Sequence, residues 1–557
     1  MRRLFAAALI LLLSASLSAS SMKLYDRYSD EYRMLSKICV LSGVVGPSSA
    51  TPVTENEMII AFERGDRSKL NQHFRSEYGK LKEILYRSAD SFSYDFDITF
   101  SPQLFLTRDQ DSIRRKQFFI DSNQEDPFLS IGAKLEFGKH LYIEALYPVM
   151  NARTVHGTDN TIDSGLAYTS FDFLFNFRNN SFNVLTITDP VVPMFAEFPI
   201  VARAAVGADW FSFVIGRSRQ QFGNGFTGNL IIGDNFDYQE FMKITASSSF
   251  LTYTLDLTQF DTQVEKNGVI ETMRPHISGM HNGRIMHRVD ANVLDRARVV
   301  ANLGFAFYAD EIADFRLLFP LMNTHAWNNF RDEPRLDSDA DFYDEANNIA
   351  GIEAEWVIMP GLRAGLQFAL DQYQAPNEGD EVPSALALMA NSAYMLAFRN
   401  FDVDLYVEGV FTSSGMYMNY KYDEKGTNWN YDWIFSYRRQ KTTGDVNWSG
   451  HTFGPGVFAI ALGSDFDFYK PEISLDARIL YKAGMNRDFY SNFDNIKGID
   501  DVWEHELSLR AFSEYGVLKC LDVITGVQLG FHWNYEHESG RFRVMPQAMI
   551  GLRYRAI

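Results

Sequence analysis

The chain is 557 residues long, with 46 Phe and 27 Tyr in an aromatic fraction of 15%. Its mean hydropathy of −0.19 is nevertheless that of a water-soluble protein. Single soluble cores stop growing near ~250–300 residues, whereas a closed transmembrane barrel adds strands without deepening any core. With 71 Asp+Glu against 52 Lys+Arg, a formal charge of −19, the chain lacks the basic footprint that nucleic acid demands.

Met1-Arg2-Arg3, the apolar run Leu4 to Leu13 and the small residues Ser14 to Ser21 form a signal peptide over 1–21. No cysteine follows the apolar run, so no lipid anchor is expected, and the run is too short to span a bilayer as a helix. The two cysteines, Cys39 and Cys520, are far apart and support neither a disulfide framework nor a cysteine metal site. They are read as packing residues.

Residues 22–90 carry helical period. Ser29-Asp30 can cap a helix bearing Tyr32, Leu35 and Ile38, and Thr54-Glu55-Asn56-Glu57 reads as a capping box. Leu70, Phe74, Tyr78, Leu81 and Leu85 follow at four- and three-residue steps and form one apolar stripe. The expectation is a small helical bundle packed against the barrel mouth.

At Ser91 the period changes to two, and 91–557 is read as the barrel. Phe92, Tyr94, Phe96, Ile98 and Phe100 alternate with Ser93, Asp95, Asp97 and Thr99, which puts the apolar groups on one face. The rhythm recurs at Ile131–Phe137 with its return Leu141–Ala145, at Phe171–Phe177, at Leu251–Leu257, at Tyr394–Val407 and at Ile473–Tyr481. The other face of Phe401–Val407 carries Asp402 and Asp404, continued by Glu408. Tight turns (Gly138-Lys139-His140, Asn179-Asn180, Asn400, Lys470-Pro471) are separated by long polar segments, the asymmetry of short periplasmic turns and long external loops. Ala548, Ile550, Leu552, Tyr554 and Ala556 supply a closing strand that ends in Ile557, where an aromatic is usual. About 465 residues, at ~25–30 per strand with loops, give ~16–18 antiparallel strands, an even number being expected. The fold class is therefore an all-β transmembrane barrel preceded by a helical bundle.

Few segments look chemical. Gly223-Asn224-Gly225-Phe226-Thr227-Gly228 matches a dinucleotide fingerprint in letters. The residues after it have β character, so it reads as a Gly-rich turn or constriction inside the barrel. Asp337-Ser338-Asp339-Ala340-Asp341 starts like a calcium loop but has Phe342 where Gly belongs and Asn348 where a bidentate Glu belongs. His281 with His287, and His532 with His537, lack metal-ligand spacing. Asn428-Trp429-Asn430-Tyr431-Asp432-Trp433 mixes flat rings with amides and a carboxylate, which suits either sugar binding or girdle aromatics at a strand end. No catalytic triad or dyad motif stands out, so neither an enzyme nor a cofactor is expected.

The stretch Gly216-Arg217-Ser218-Arg219-Gln220-Gln221-Phe222-Gly223-Asn224-Gly225, with Gly228-Asn229-Leu230-Ile231-Ile232-Gly233-Asp234-Asn235-Phe236-Asp237, resembles the Wzi family of capsule-assembly outer-membrane proteins. His287-Arg288-Val289-Asp290, Phe319-Pro320-Leu321-Met322 and the helical preface Tyr32 to Phe62 are similar to further landmarks in the same order. Phe222 stands where Trp is usual, and Asn224 replaces the turn proline. The resemblance implies a lectin-like barrel of roughly 18 strands with a periplasmic bundle. Its landmark polar groups carry over as Arg217, Arg219, Gln220, Asn229, Asp237 and Arg288, to which Trp429, Tyr431 and Trp433 are added as candidate sugar-stacking rings.

The leading expectation is a protein of a diderm outer membrane that binds or tethers surface polysaccharide, with membrane lipid and the barrel-insertion machinery as its other partners. The alternative is a porin or solute channel, for which a water-filled lumen with acidic balance suffices.

Overall fold

A computed structural model describes residues 21–87, 92–107, 129–148, 167–169, 175–178, 181–184, 201–233, 238–260, 262–266, 269–273, 281–309, 315–320, 345–372, 385–417, 419–422, 429–432, 438–439, 446–485 and 502–556. Eighteen antiparallel strands close into a barrel. β1 (Ser93–Phe100, continued by Gln103–Thr107), β2 (Leu129–Phe137), β3 (Leu141–Pro148), β4 (Val201–Ala208), β5 (Phe211–Ser218) and β6 (Gln239–Ser247) form the first third. β7 (Leu251–Phe260), β8 (His281–Leu294), β9 (Ala297–Ala309), β10 (Glu345–Met359), β11 (Leu362–Gln372) and β12 (Ala385–Ala397) follow. β13 (Phe401–Thr412), β14 (Val457–Tyr469), β15 (Glu472–Gly484), β16 (Glu504–Leu518), β17 (Leu521–Trp533) and β18 (Phe542–Ala556) complete the wall. Closure is made by β18, which pairs Tyr554 with Phe100 and Ile550 with Leu104, so no sheet edge is left open.

The period-two pattern maps onto the two wall faces. On β13 Leu405, Val407 and Phe411 are exposed outside, while Tyr406, Glu408 and Val410 are buried inside. Tyr94, Ile352, Leu462, Ile550 and Leu552 continue the outer apolar surface. In water such side chains forgo ~1.5–3 kcal/mol each, so this surface belongs against lipid. Trp210, Phe250, Phe398 and Tyr554 are exposed at or beside the end bearing the tight turns, where Phe401 also stacks on Phe398 at 4.7 Å.

That end holds Gly138-Lys139-His140, Lys470-Pro471 and six other turns of two or three residues. The helices α1 (Asp30–Ser42), α2 (Glu55–Arg64) and α3 (Gln72–Leu85) pack on it. Tyr32, Leu35, Ile38, Phe62, Phe74, Leu81 and Leu85 form their common core. Thr54 and Glu57 make the reciprocal capping box. Ser29 occupies the cap position of α1, but its hydroxyl donates to the Asp26 carbonyl at 2.8 Å instead of accepting from the helix. The bundle is fixed to the barrel by Lys37, whose ammonium lies 2.6 Å from Asp402 and 2.5 Å from Asp467. Burial opposes that charge, yet the carboxylates of Asp467 and Asp402 carry the lysine above its ordinary pKa. His73 stacks on Tyr469 at 3.5 Å, and Asn71 donates to the Phe398 carbonyl at 3.2 Å.

One strand expectation needs correction. Phe175–Arg178 pairs with Ser181–Val184 in its own two-stranded sheet and is no part of the barrel wall. Among the described residues Trp429–Asp432 pairs with Asn419–Tyr422, while Thr412 of β13 passes its ladder directly to Val457 of β14.

Candidate functional site

The lumen is occupied. Between β5 and β6 the chain turns inward, and residues 219–233 cross the inside of the barrel instead of forming an outer loop. Glycine makes this path possible. Gly223 has φ +122°, and a Cβ on Gly225 would lie 1.8 Å from the Gly228 carbonyl oxygen. The fingerprint letters thus describe a constriction, as expected from the β character that follows them.

Several polar groups of the inward loop meet partners on the wall or the bundle. The Phe226 and Thr227 amides donate to Glu408 at 2.7 Å each, and the Thr227 hydroxyl donates to the same carboxylate at 2.5 Å. Asn224 donates to Glu355 at 2.9 Å. Arg27, just ahead of α1, donates to the carbonyls of Gly223 and Gly225 at 2.9 and 2.8 Å. The Asn229 side-chain oxygen Oδ1 accepts from the Gly225 amide and from the Gln367 side chain, both at 2.9 Å.

The loop then buries Leu230, Ile231 and Ile232 in an apolar cluster. Met286 of β8, Ala306 of β9, Ile349 of β10, Ala369 of β11, Met389 of β12, Val410 of β13 and Ala459 of β14 all converge on it from inside. A second inward segment seals it. The Tyr417 hydroxyl donates to the Leu230 carbonyl at 2.9 Å and accepts from the His451 amide at 2.9 Å. The Gly233 amide donates to the Ser449 carbonyl at 2.8 Å.

From the other end the linker between α1 and α2 enters the barrel. Ala50–Thr51 pairs with Gln221–Phe222 of the loop, so bundle and loop share a short sheet. The wall grips this linker with cations: Lys243 donates to the carbonyls of Ala50 and Pro52 at 2.6 and 2.5 Å, and Arg298 donates to those of Pro47 and Gly46. Arg203 is held between Asp26 and Glu144.

The predicted site residues divide accordingly. Gln220, Asn229 and Arg288 are fully buried in the plug and its seat. Gln220 donates to Asp256, while Arg288 pairs with Glu353 at 2.6 Å and donates to Ser49 at 2.8 Å. Arg217 lies further out, ion-paired with Glu240 and over the Tyr238 ring at 4.2 Å, and Arg219 is half-buried. Asp237 and Trp433 lie outside the described residues, as do the side chains of Trp429 and Tyr431, whose backbone forms the β13–β14 hairpin. Gln220, Asn229 and Arg288 thus belong to one plug and its seat.

Sequence reasoning missed the partners Glu408, Glu353, Glu355, Asp256, Gln367 and Arg27. Their signal was available in part. All but Arg27 are charged or amide side chains at inward positions of strands that alternate cleanly, and Glu408 already stood out on such a face.

The inner wall beyond the plug stays charged. Arg510 pairs with Asp476 at 2.6 Å, Lys482 with Glu506 at 2.6 Å and Arg553 with Glu514 at 2.7 Å, on the arc from β15 to β18.

No protein-family model matches the chain, and no curated protein matches it. Among solved structures it is similar to Wzi of Escherichia coli, an outer-membrane protein involved in group 1 capsule assembly and a carbohydrate-binding β-barrel. That likeness has 11% identity and a TM-score of 0.54, and covers 96% of this chain and 99% of that one. OprD of Pseudomonas aeruginosa and OccAB3 of Acinetobacter baumannii each match at 9% identity and a TM-score of 0.40, covering 84% and 83% of this chain and 97% and 99% of their own. The chain has the fold of an outer-membrane β-barrel. Its likeness to the first of these runs through helical bundle and barrel together.

Proposed function

We propose that this chain is a closed outer-membrane barrel of a diderm bacterium that holds surface polysaccharide at its outer mouth, without catalysis. The tight turns and the helical bundle then face the periplasm, and the long connections face outward. The observation that carries this reading is the plug. An apolar cluster seated on seven consecutive strands is a poor path for hydrated solutes, since dewetted constrictions block ions. The full-length likeness to a carbohydrate-binding barrel supports the choice of ligand.

Within this reading Gln220, Asn229 and Arg288 brace the plug. Glycan contact falls to the remaining candidates, Arg217, Arg219, Asp237, Trp429, Tyr431 and Trp433. Stacking on aromatic faces with many weak hydrogen bonds would provide the affinity. A solute channel is the second reading, favoured by the charged arc from β15 to β18. Purified protein in planar bilayers and on a glycan array separates the two. Closed baselines with saturable glycan binding are expected. Steady open-pore current with no glycan bound would overturn the proposal in favour of the channel.

A further inference from the structure

The inward loop is held from two sides by groups of opposite kind. On the wall side Glu408 accepts from the Phe226 and Thr227 amides. On the bundle side Arg27 holds carbonyls, donating from Nη1 to Gly223 and from Nη2 to Gly225. The Gly223 amide in turn donates to the Ser49 carbonyl at 3.2 Å, beside the pairing of Ala50–Thr51 with Gln221–Phe222. Ala50 and Phe222 both belong to the apolar cluster, at 1% and 0% exposure, so the linker closes that cluster as well. Glycine loses more conformational freedom on ordering than any other residue. A tip that carries Gly223, Gly225 and Gly228 therefore keeps its shape through the partners of its backbone groups.

The groups that hold the tip from below are tied to α1. Arg27 lies between Asp26, whose carboxylate meets Arg203 of β4 at 2.7 Å, and Asp30, the first residue of the helix. The Tyr32 hydroxyl of α1 donates to the Ser48 carbonyl at 2.9 Å and so joins helix to linker. Farther along α1, Lys37 reaches Asp402 and Asp467. Asp402 and Glu408 are carried by the same strand, β13, on the same inward face. One strand thus grips the bundle at its lower end and the loop tip above, while α1 and its flanking segments span the space between.

We infer that docking of the bundle and seating of the inward loop are one cooperative event, so that lifting α1 from the barrel end unlatches residues 219–228. When α1 leaves, Arg27 and the linker leave with it. The Gly223 and Gly225 carbonyls and the Gly223 amide then lose their partners together, and Phe222 loses Ala50. Buried main-chain groups do not stay unpaired, so the tip opens toward water. The coupling is reciprocal: whatever loosens the tip loosens the linker by the same factor. As a control on the lumen, this device rests on the reading of the loop as its closure and of the bundle end as periplasmic.

The test is a double-mutant cycle on the full-length protein in detergent, read by amide exchange, with folding checked by heat-modifiable migration. Lys37→Met acts at the anchor of the bundle and is expected to speed exchange at Phe226 and Thr227 at least about tenfold. Asp402→Asn with Asp467→Asn removes the same anchor from the barrel side and should reproduce that rise. Arg27→Met should speed exchange at the same two amides. Adding Lys37→Met to Arg27→Met should then change little, less than about threefold, because the route from anchor to tip is already cut. If the two effects multiply instead, the anchor acts through β13 and the proposal falls. The reverse arm stands alone: Glu408→Ala should speed exchange over residues 46–52 at least about fivefold. A linker that keeps its wild-type rate in that variant overturns the coupling. Steady bilayer current through wild type would overturn the closure reading and leave the coupling intact, since exchange is measured without reference to conductance.

Discussion

The seat of the plug can be taken apart at two points whose energies differ, and the difference fixes what each variant does. Glu408→Ala removes the acceptor of the Phe226 and Thr227 amides and of the Thr227 hydroxyl. The Thr227 hydroxyl keeps His451 Nε2 at 3.3 Å. Two buried amides are thus left unpaired at ~1–3 kcal/mol each, and the tip of the loop loses ~2–6 kcal/mol. The loop is also held by Leu230, Ile231 and Ile232, all at or below 2% exposure. Each contributes ~1.5–3 kcal/mol, or ~5–9 kcal/mol together. The apolar anchor outweighs the polar latch. Glu408→Ala should therefore fray residues 224–228 without expelling the loop: amide exchange at Phe226 and Thr227 rises at least about thirtyfold, and bilayer recordings remain closed. The double variant Leu230→Asp, Ile231→Asp reverses the anchor, because two carboxylates cannot stay in that cluster. It should give step-like current. If the double variant folds, judged by heat-modifiable migration, and still shows no conductance, the loop is not what closes the barrel. If wild type conducts as steadily as the variant, the same reasoning fails.

Three further outcomes concern the helical bundle. Lys37→Met leaves Asp402 and Asp467, neighbours across β13 and β14, without their shared cation. Breaking a buried pair costs ~3–5 kcal/mol, and partial exposure reduces this to ~2–3 kcal/mol. The bundle should then become sensitive to protease while the barrel keeps its melting temperature; unchanged resistance would mean the contact is incidental. Burial pushes the Glu55 carboxyl up to about 7 from its ordinary 4.5, against the lowering effect of the Tyr25 hydrogen bond. A raised acid is more stable protonated, so its contribution is fully present below pH ~4.5 and is lost as pH rises through ~7. A bundle melting ~2–3 kcal/mol less stable at pH 8 than at pH 5 is expected, with Glu55→Gln flattening the profile. A Glu55→Gln bundle with the wild-type pH slope would count against that assignment. Burial also pushes the Cys39 thiol up to about 12. Maleimide should label Cys520 in folded protein and reach Cys39 only after the bundle unfolds, and equal labelling rates would contradict the packing.

The barrel was legible because a strand with lipid on one side and protein or water on the other writes its environment into every second residue. Leu251 to Leu257 and Ile473 to Tyr481 lie where the alternation places them, on β7 and β15. The same rhythm misled at Phe171 to Phe177, where residues 175–178 form a local hairpin. Alternation reports two unlike faces, and a hairpin beside the barrel has those as well as a wall does. The plug was not legible as a plug. Its anchor Leu230-Ile231-Ile232 has no periodicity, and its partners are scattered from Arg27 to His451. His287 looked like a family landmark, and nothing in the letters says that it lies on the outer face of β8 with its Nε2 2.7 Å from the Leu317 carbonyl.

The inward charges decide how the lumen should be understood. In a conducting barrel, inward cations and carboxylates are left to water and passing solute. Here Arg203, Lys243, Arg288 and Arg298 all bind the linker between α1 and α2 or the segment just before α1. Glu355 and Glu408 bind the inward loop, and Glu353 secures Arg288. Charges of this kind are costly to bury unless paired, and strongly destabilising once a partner is removed. Several are matched to backbone carbonyls or amides, which side-chain evolution cannot delete. A wall that mates its charges to main-chain groups of its own loops has fixed those loops in one arrangement. The barrel wall is therefore built around its filling, and under the proposed function recognition falls to the surface that this filling presents at the mouth.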